Sequence, residues 1–451
     1  MLHDALGHPV GLDDPVSLTA LDDFILGFIR CEARAVNVLA AGDTDHSTII
    51  QASCAALHMF AESPQASTNA APYLTRALAH AARSSPREQG FLACVAAWVR
   101  GEMALTGPLH EQHQRQFPRD LVALKLGQYH LFNRGDAAGM LRLALLALPA
   151  AGDIPQVHGM AAFAWEQCHL LASAEQAARK GLAMCATDPW AQHALAHVML
   201  TQGRLQEGWQ FMQHSSTGWI GLNSFMVTHN WWHLALFALE LGEHDVVLDL
   251  YDQQVWGVEP AYSQDQIGAV SLLARLELAG VDVGTRWQAV ADHLVQRVHD
   301  HVLPFLDLQY LYGLARAGRP EGNTMLGSIE AYCQGLASAG AGHTAHAPAE
   351  AVWPRVCLPA ARALVAHAQG RTGDVLDDLE IALARLPQIG GSHAQRDLFN
   401  QIYLDALQRA GHWAAAQQIL QPQCDSQPQS LRLRRQAGRV YQELGLSLVP
   451  P

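Results

Sequence analysis

Glycine followed by a polar residue recurs along this chain, at Gly135-Asp136, Gly203-Arg204, Gly242-Glu243, Gly373-Asp374 and Gly411-His412, and each pair opens an amphipathic run. Such a glycine lets one helix stop and a second turn back along it. The segments Gly203-Arg-Leu-Gln-Glu-Gly-Trp-Gln-Phe-Met212 and Gly242-Glu-His-Asp-Val-Val-Leu-Asp-Leu-Tyr251 begin 39 residues apart, and Gly373 and Gly411 are separated by 38. Those spacings exceed the tetratricopeptide period of about 34 but suit paired helices with small insertions. Ala, Leu, Gln, Glu and Arg fill the periodic segments, and β-branched runs of strand length are few. The expected fold is all-α: a tetratricopeptide-like α-solenoid of antiparallel helix pairs.

Composition narrows the function classes. Hydrophobic residues at 49% against 16% charged exclude a disordered chain, and no apolar run reaches the roughly 20 residues that span a bilayer. A net charge of −13 repels both a phosphodiester backbone and an anionic membrane face, so neither nucleic acid nor membrane is an expected partner. Met1 to Pro15 carries Asp4, Asp13 and Asp14 without lysine or arginine, unlike a secretory leader, and the expected location is cytoplasmic. The eight cysteines are far apart with no Cys-x-x-Cys, which argues against a zinc knuckle or redox pair.

Local chemistry marks helix ends. Asp188 can cap a helix that starts at Pro189 and stops before Gly203, and Ser392 with Gln395 has the spacing of a capping box after Gly390-Gly391. Residues 1–115 show helical runs (Leu18 to Leu39, Ile49 to Phe60, Phe91 to Leu105) with weaker punctuation and are expected to form an atypical N-terminal cap. Residues 116–318 should hold helical repeats, and 319–354, rich in Gly, Ala and Pro, a connecting loop. Residues 355–451 complete the array with C-terminal repeats.

Chemistry-bearing residues concentrate on the first helices of successive pairs. His193 and His197 form one His-x-x-x-His pair and His229 and His233 another, each on one side of its helix. Glu240 shares the stripe of the second pair, and His158 with Glu166 forms a similar stripe on the preceding first helix. If these stripes converge on a concave face, the four histidines could hold a divalent metal such as zinc, iron or manganese, with Glu166 or Glu240 completing the shell. They could equally act as general acids and bases, or bond structurally to neighbouring helices. Ala194 and Asn230 follow the first histidines where a metalloprotease helix has glutamate.

A second cluster follows Gly390-Gly391, where His393, Arg396 and Asn400 share a helix side beside Asp397. Free amides and a guanidinium there suit a carboxylate or phosphate, whereas an Arg396–Asp397 tie between repeats is the structural alternative. Trp190, Trp219, Trp231 and Trp232 surround the histidines in sequence, as aromatic walls or as core. No nucleophile elbow, phosphate-binding loop or dinucleotide loop is present.

The blocks Asp188-Pro-Trp-Ala-Gln-His-Ala-Leu-Ala-His197, His229-Asn-Trp-Trp-His-Leu-Ala-Leu236, Arg286-Trp287 and Gly390-Gly-Ser-His-Ala-Gln-Arg-Asp-Leu-Phe-Asn400, in this order, resemble the tetratricopeptide repeat protein 38 family. The resemblance runs from about Phe117 to Ala410 and implies a tetratricopeptide-like solenoid. It singles out His193, His197, His229, His233, Arg396, Asp397 and Asn400, while Gln309 stands where the family pattern leads one to expect histidine.

Three functions follow as expectations. The first is binding of a small polar or anionic ligand in a pocket lined by His158, Glu166, His193, His197, His229, His233 and Asp307, with Arg396, Asp397 and Asn400 at its edge. The second is a metal- or histidine-dependent enzyme of hydrolase or lyase type in the same pocket. The third is a peptide- or protein-binding scaffold.

Overall fold

In a computed structural model, which describes residues 2–340 and 351–446, the chain is all-α and tetratricopeptide-like. The described residues form 23 α-helices besides short 3-10 and π turns. The sole paired strands among them are the two-residue pieces Leu2–His3 and Pro9–Val10. Helices adjacent in sequence pack as antiparallel pairs across short turns, among them Leu121–Phe132 with Ala137–Ala151, Pro155–Gln167 with Leu171–Met184, and Leu358–Ala368 with Thr372–Leu383. The chain divides into two compact units, Met1–Leu195 with Gly218–Met226, and Ala196–Thr217 with Val227–Pro451.

Glycine in the left-handed region makes most of the expected turns. Gly135, Gly203, Gly242 and Gly411 have φ of 69°, 68°, 79° and 73°. Gly373 does not: the left-handed residue is Gly370, at φ 71°, and Gly373 lies inside the helix Thr372–Leu383. The expected Phe91 to Leu105 helix is two, Pro86–Val99 and Met103–Gln116, because Gly101 (φ 71°) with Glu102 makes the same kind of turn. The expected Leu18 to Leu39 helix also breaks, ending at Arg30 with Cys31 left-handed at φ 57°. Lys125 stabilises this end, its Nζ donating to Phe28 O at 2.7 Å and Ile29 O at 3.3 Å. Within the expected connecting segment, Glu321–Gly340 is helical, and residues 341–350 lie outside the described residues.

Both predicted caps form. Asp188 Oδ1 accepts from the amides of Trp190 (3.0 Å) and Ala191 (3.4 Å), and Ser392 and Gln395 make the reciprocal capping box.

The second unit contains long-range ties that sequence spacing does not reveal. Arg275, buried in the helix Ser263–Leu278, donates to Ser271 Oγ and, at 2.5 Å, to Ala394 O near the start of the helix His393–Arg409. Glu240, at the end of the helix Ser224–Glu240, accepts from Ser430 Oγ and from Arg432 Nε at 2.7 Å, so the C-terminal helix Leu431–Glu443 is ionically fixed to a helix 190 residues earlier. Gly208 lets the helix Leu205–Ser215 meet the Phe237 ring, which an added Cβ would strike.

Breaking one side of a buried pair leaves the other charge uncompensated. Arg432→Met alone should therefore cost about 3–5 kcal/mol in urea unfolding, and the Glu240→Leu/Arg432→Met double variant clearly less than the sum of its single changes. Additive losses would show that the pair does not couple the two helices.

Candidate functional site

The second unit brings three of the predicted histidines together. His197 comes from the helix Pro189–Thr201, and His229 and His233 are one turn apart on Ser224–Glu240. Each offers one ring nitrogen within 4.8 Å of the others. The His197 and His233 rings lie 4.4 Å apart between centroids, and His229 and His233 meet edge to face at 4.8 Å. His197 and His233 are buried, while His229 is half-buried. Trp232 backs the cluster, stacked on His229 at 5.4 Å and edge-on to His233 at 4.9 Å. Behind Trp232, at 5.4 Å from its ring, sits the Arg275 guanidinium.

These surroundings keep His229 uncharged. Burial first, and the neighbouring His197 second, push its imidazole down to about 3 from an ordinary 6.5. A neutral imidazole retains a lone pair, the state in which it binds a metal or accepts a proton. Among the described residues Asn230 is wholly buried with both amide atoms lacking a hydrogen-bond partner, and Trp232 Nε1 shares that condition. An unsatisfied buried polar group costs about 1–3 kcal/mol, which favours a polar occupant near this stretch of helix.

His193 lies one turn before His197 on the same helix, in the first unit, where its ring packs against Phe163 (5.1 Å) and Trp190 (4.9 Å). His158 and Glu166 also belong to the first unit; His158 Nε2 is 2.9 Å from Gly152 O, and the buried Glu166 carboxylate accepts from Gln167 at 2.5 Å. Asp307 pairs with His301 at 2.6 Å. Arg396 donates to the carbonyls of Gly390 and Gly391, Asp397 accepts from Gln401 at 2.6 Å, and Asn400 is exposed. Glu240, expected as a metal-shell carboxylate, is instead engaged by Ser430 and Arg432.

Sequence patterns assign no role to Arg275 or His301, and Asn230 enters only as standing where a metalloprotease helix has glutamate. Arg275 carried a signal: a guanidinium inside the apolar run Ile267 to Leu276 had to find a buried acceptor.

No protein-family model matches the chain. Among solved structures, the complex of Naa15 and Naa10 bound to HypK-THB aligns over 94% of this chain and 66% of that one, at 12% identity and a TM-score of 0.26. At that TM-score the likeness carries no argument about this protein. No helix of the described residues is long and apolar enough to cross a membrane.

The unfolded state takes up a proton that folded His229 refuses between about pH 6.5 and 3, so this contribution to stability is full above pH 6.5 and lost as pH falls. His110 in the first unit, also pushed down to about 3 by burial, acts in the same direction. Melting temperatures should fall between pH 7.5 and 5, and His229→Gln should flatten that fall. An unchanged slope in the variant would mean that His229 titrates normally in the folded protein.

Proposed function

We propose that this is a tetratricopeptide-like repeat protein, related to the tetratricopeptide repeat protein 38 family, that holds a divalent transition metal on His197, His229 and His233. The metal leaves a coordination position for a small polar or anionic ligand. The observation that carries this reading is three imidazoles with nitrogens within 4.8 Å of one another, one of them held neutral by burial. Imidazole ligands suit zinc, copper, iron and nickel, and the donor set alone favours zinc or iron over manganese.

Zinc–nitrogen distances of about 2.0–2.1 Å bring tetrahedral ligands to about 3.3 Å from one another, so binding asks the rings to close by no more than about 1.5 Å. Side-chain rotation supplies movement of that size. Three protein ligands with one open position is the arrangement of a site that exchanges a water or substrate, and the cation itself would attract an anionic group. A hydrolase or lyase reaction would use the metal to polarise a bound carbonyl or lower the pKa of a bound water.

A peptide-binding scaffold is the second reading, supported by the paired-helix architecture. It makes no demand on the histidines.

Elemental analysis separates these readings. Full-length protein incubated with zinc and dialysed should retain about one equivalent, and a His229→Gln/His233→Gln variant with an unaltered helical circular dichroism spectrum should retain none. Zinc-free wild type, or a variant that keeps its metal, would contradict the proposed site.

A further inference from the structure

The turn after the helix Arg286–Leu294 carries His299 and His301 to the helix Glu321–Gly340. His301 has φ of 46°, a left-handed backbone that a histidine adopts only when its surroundings hold it there. Its ring lies between two side chains: Nδ1 is 2.6 Å from Asp307 Oδ2, and Nε2 is 2.8 Å from Ser328 Oγ. Asp307 is fully buried, the His301 side chain is 10% exposed, and Ser328 is half-buried, so solvent access increases from carboxylate to hydroxyl.

Hydrogen-bond accounting fixes the protons. An ionised carboxylate only accepts, so His301 donates from Nδ1, and in the neutral imidazole Nε2 keeps a lone pair. Ser328 must then donate its hydroxyl proton to Nε2. The exposed His299, whose Nδ1 is 2.7 Å from the same Oγ, donates to the remaining oxygen lone pair. Burial pushes the Asp307 carboxyl up to about 6, which leaves it ionised at neutral pH.

We propose that Ser328 is a nucleophile activated by His301, with Asp307 as its positioning residue, and that this trio hydrolyses carboxylic esters with an apolar acyl group. Orientation of a neutral imidazole by a buried carboxylate, with a hydroxyl at its other nitrogen, is the constellation that acyl transfer requires on any fold. Oγ bonds to the ester carbonyl carbon while its proton passes to Nε2. The bond to the leaving oxygen then breaks as His301 returns that proton to the departing alcohol. Water adds to the acyl carbon, giving a proton to Nε2; the bond to Oγ breaks and Ser328 takes the proton back. One ester and one water become one acid and one alcohol.

The acyl class follows from the neighbours. Tyr332 is one helical turn beyond Ser328, stacked on His301 at 5.0 Å, and Trp353 meets Tyr332 edge-on at 4.9 Å. These rings make the surroundings of His301 apolar, which favours an apolar acyl group. Nothing in this site depends on the histidine cluster on the Pro189–Thr201 and Ser224–Glu240 helices.

A fluorophosphonate probe tests the nucleophile directly, because Oγ displaces fluoride and stays bonded to phosphorus. Full-length protein should be labelled at Ser328 in peptide mapping, and Ser328→Ala should lose that label. His301→Gln should slow labelling by at least about 100-fold. Asp307→Asn, which places the proton on Nε2, should do the same with Ser328 intact. If a substitution at His301 or Asp307 disturbs the helical spectrum, wild type against Ser328→Ala still decides. Labelling needs no added metal, so failure of the metal site leaves this result unaffected. An unlabelled Ser328 in wild type, or equal labelling rates in folded His301→Gln, would overturn the proposal.

Discussion

Burial and the neighbouring His197 push the imidazole of His229 down to about 3, so it stays neutral even in mildly acidic solution. His229 remains a neutral lone-pair donor next to His197 and His233, where a protonated imidazole would repel any cation. The aromatic face of Trp232 and the apolar helices around it maintain the low dielectric. Polar groups in such a setting must be satisfied by the protein or by something bound to it. Arg275 meets this requirement through Ser271 and the carbonyl of Ala394. Asn230 does not meet it among the described residues.

The ties that hold this interior are themselves polar. Glu240 with Ser430 and Arg432, and Arg275 with the first turn of His393–Arg409, connect helices far apart in the chain. Buried ion pairs add little net stability once desolvation is counted, but they penalise any packing that separates the partners. They therefore specify which helices meet. Apolar packing supplies the bulk of the stabilisation, through a continuous core that includes Trp232, Tyr251, Leu272, Tyr310 and Phe399.

Much of the architecture was legible because helix ends are set by local chemistry. Asp188 and Ser392 cap the helices their spacing predicted, and four of the five glycine turns use a left-handed glycine. Gly373 misled because Gly370, three residues earlier, carries the turn, and Gly101-Glu102 was read through although it has the same form. The break at Cys31 had no local signal. Lys125 reaches across to the Phe28 and Ile29 carbonyls at this end, a tertiary contact. The site divides in the same way. The i, i+4 period put His229 beside His233, whereas the pairing of His301 with Asp307 and Ser328 needed a left-handed histidine and a neighbouring helix, which no periodicity encodes.

X-ray absorption spectroscopy of the zinc-loaded full-length protein reads the ligands of the bound metal directly. The first shell should hold about three imidazole nitrogens at about 2.0–2.1 Å and one oxygen ligand such as water. The multiple-scattering signature of coordinated histidine should disappear when His197, His229 and His233 are replaced by glutamine. A shell of oxygens alone, or of sulfur from the cysteines, would contradict it.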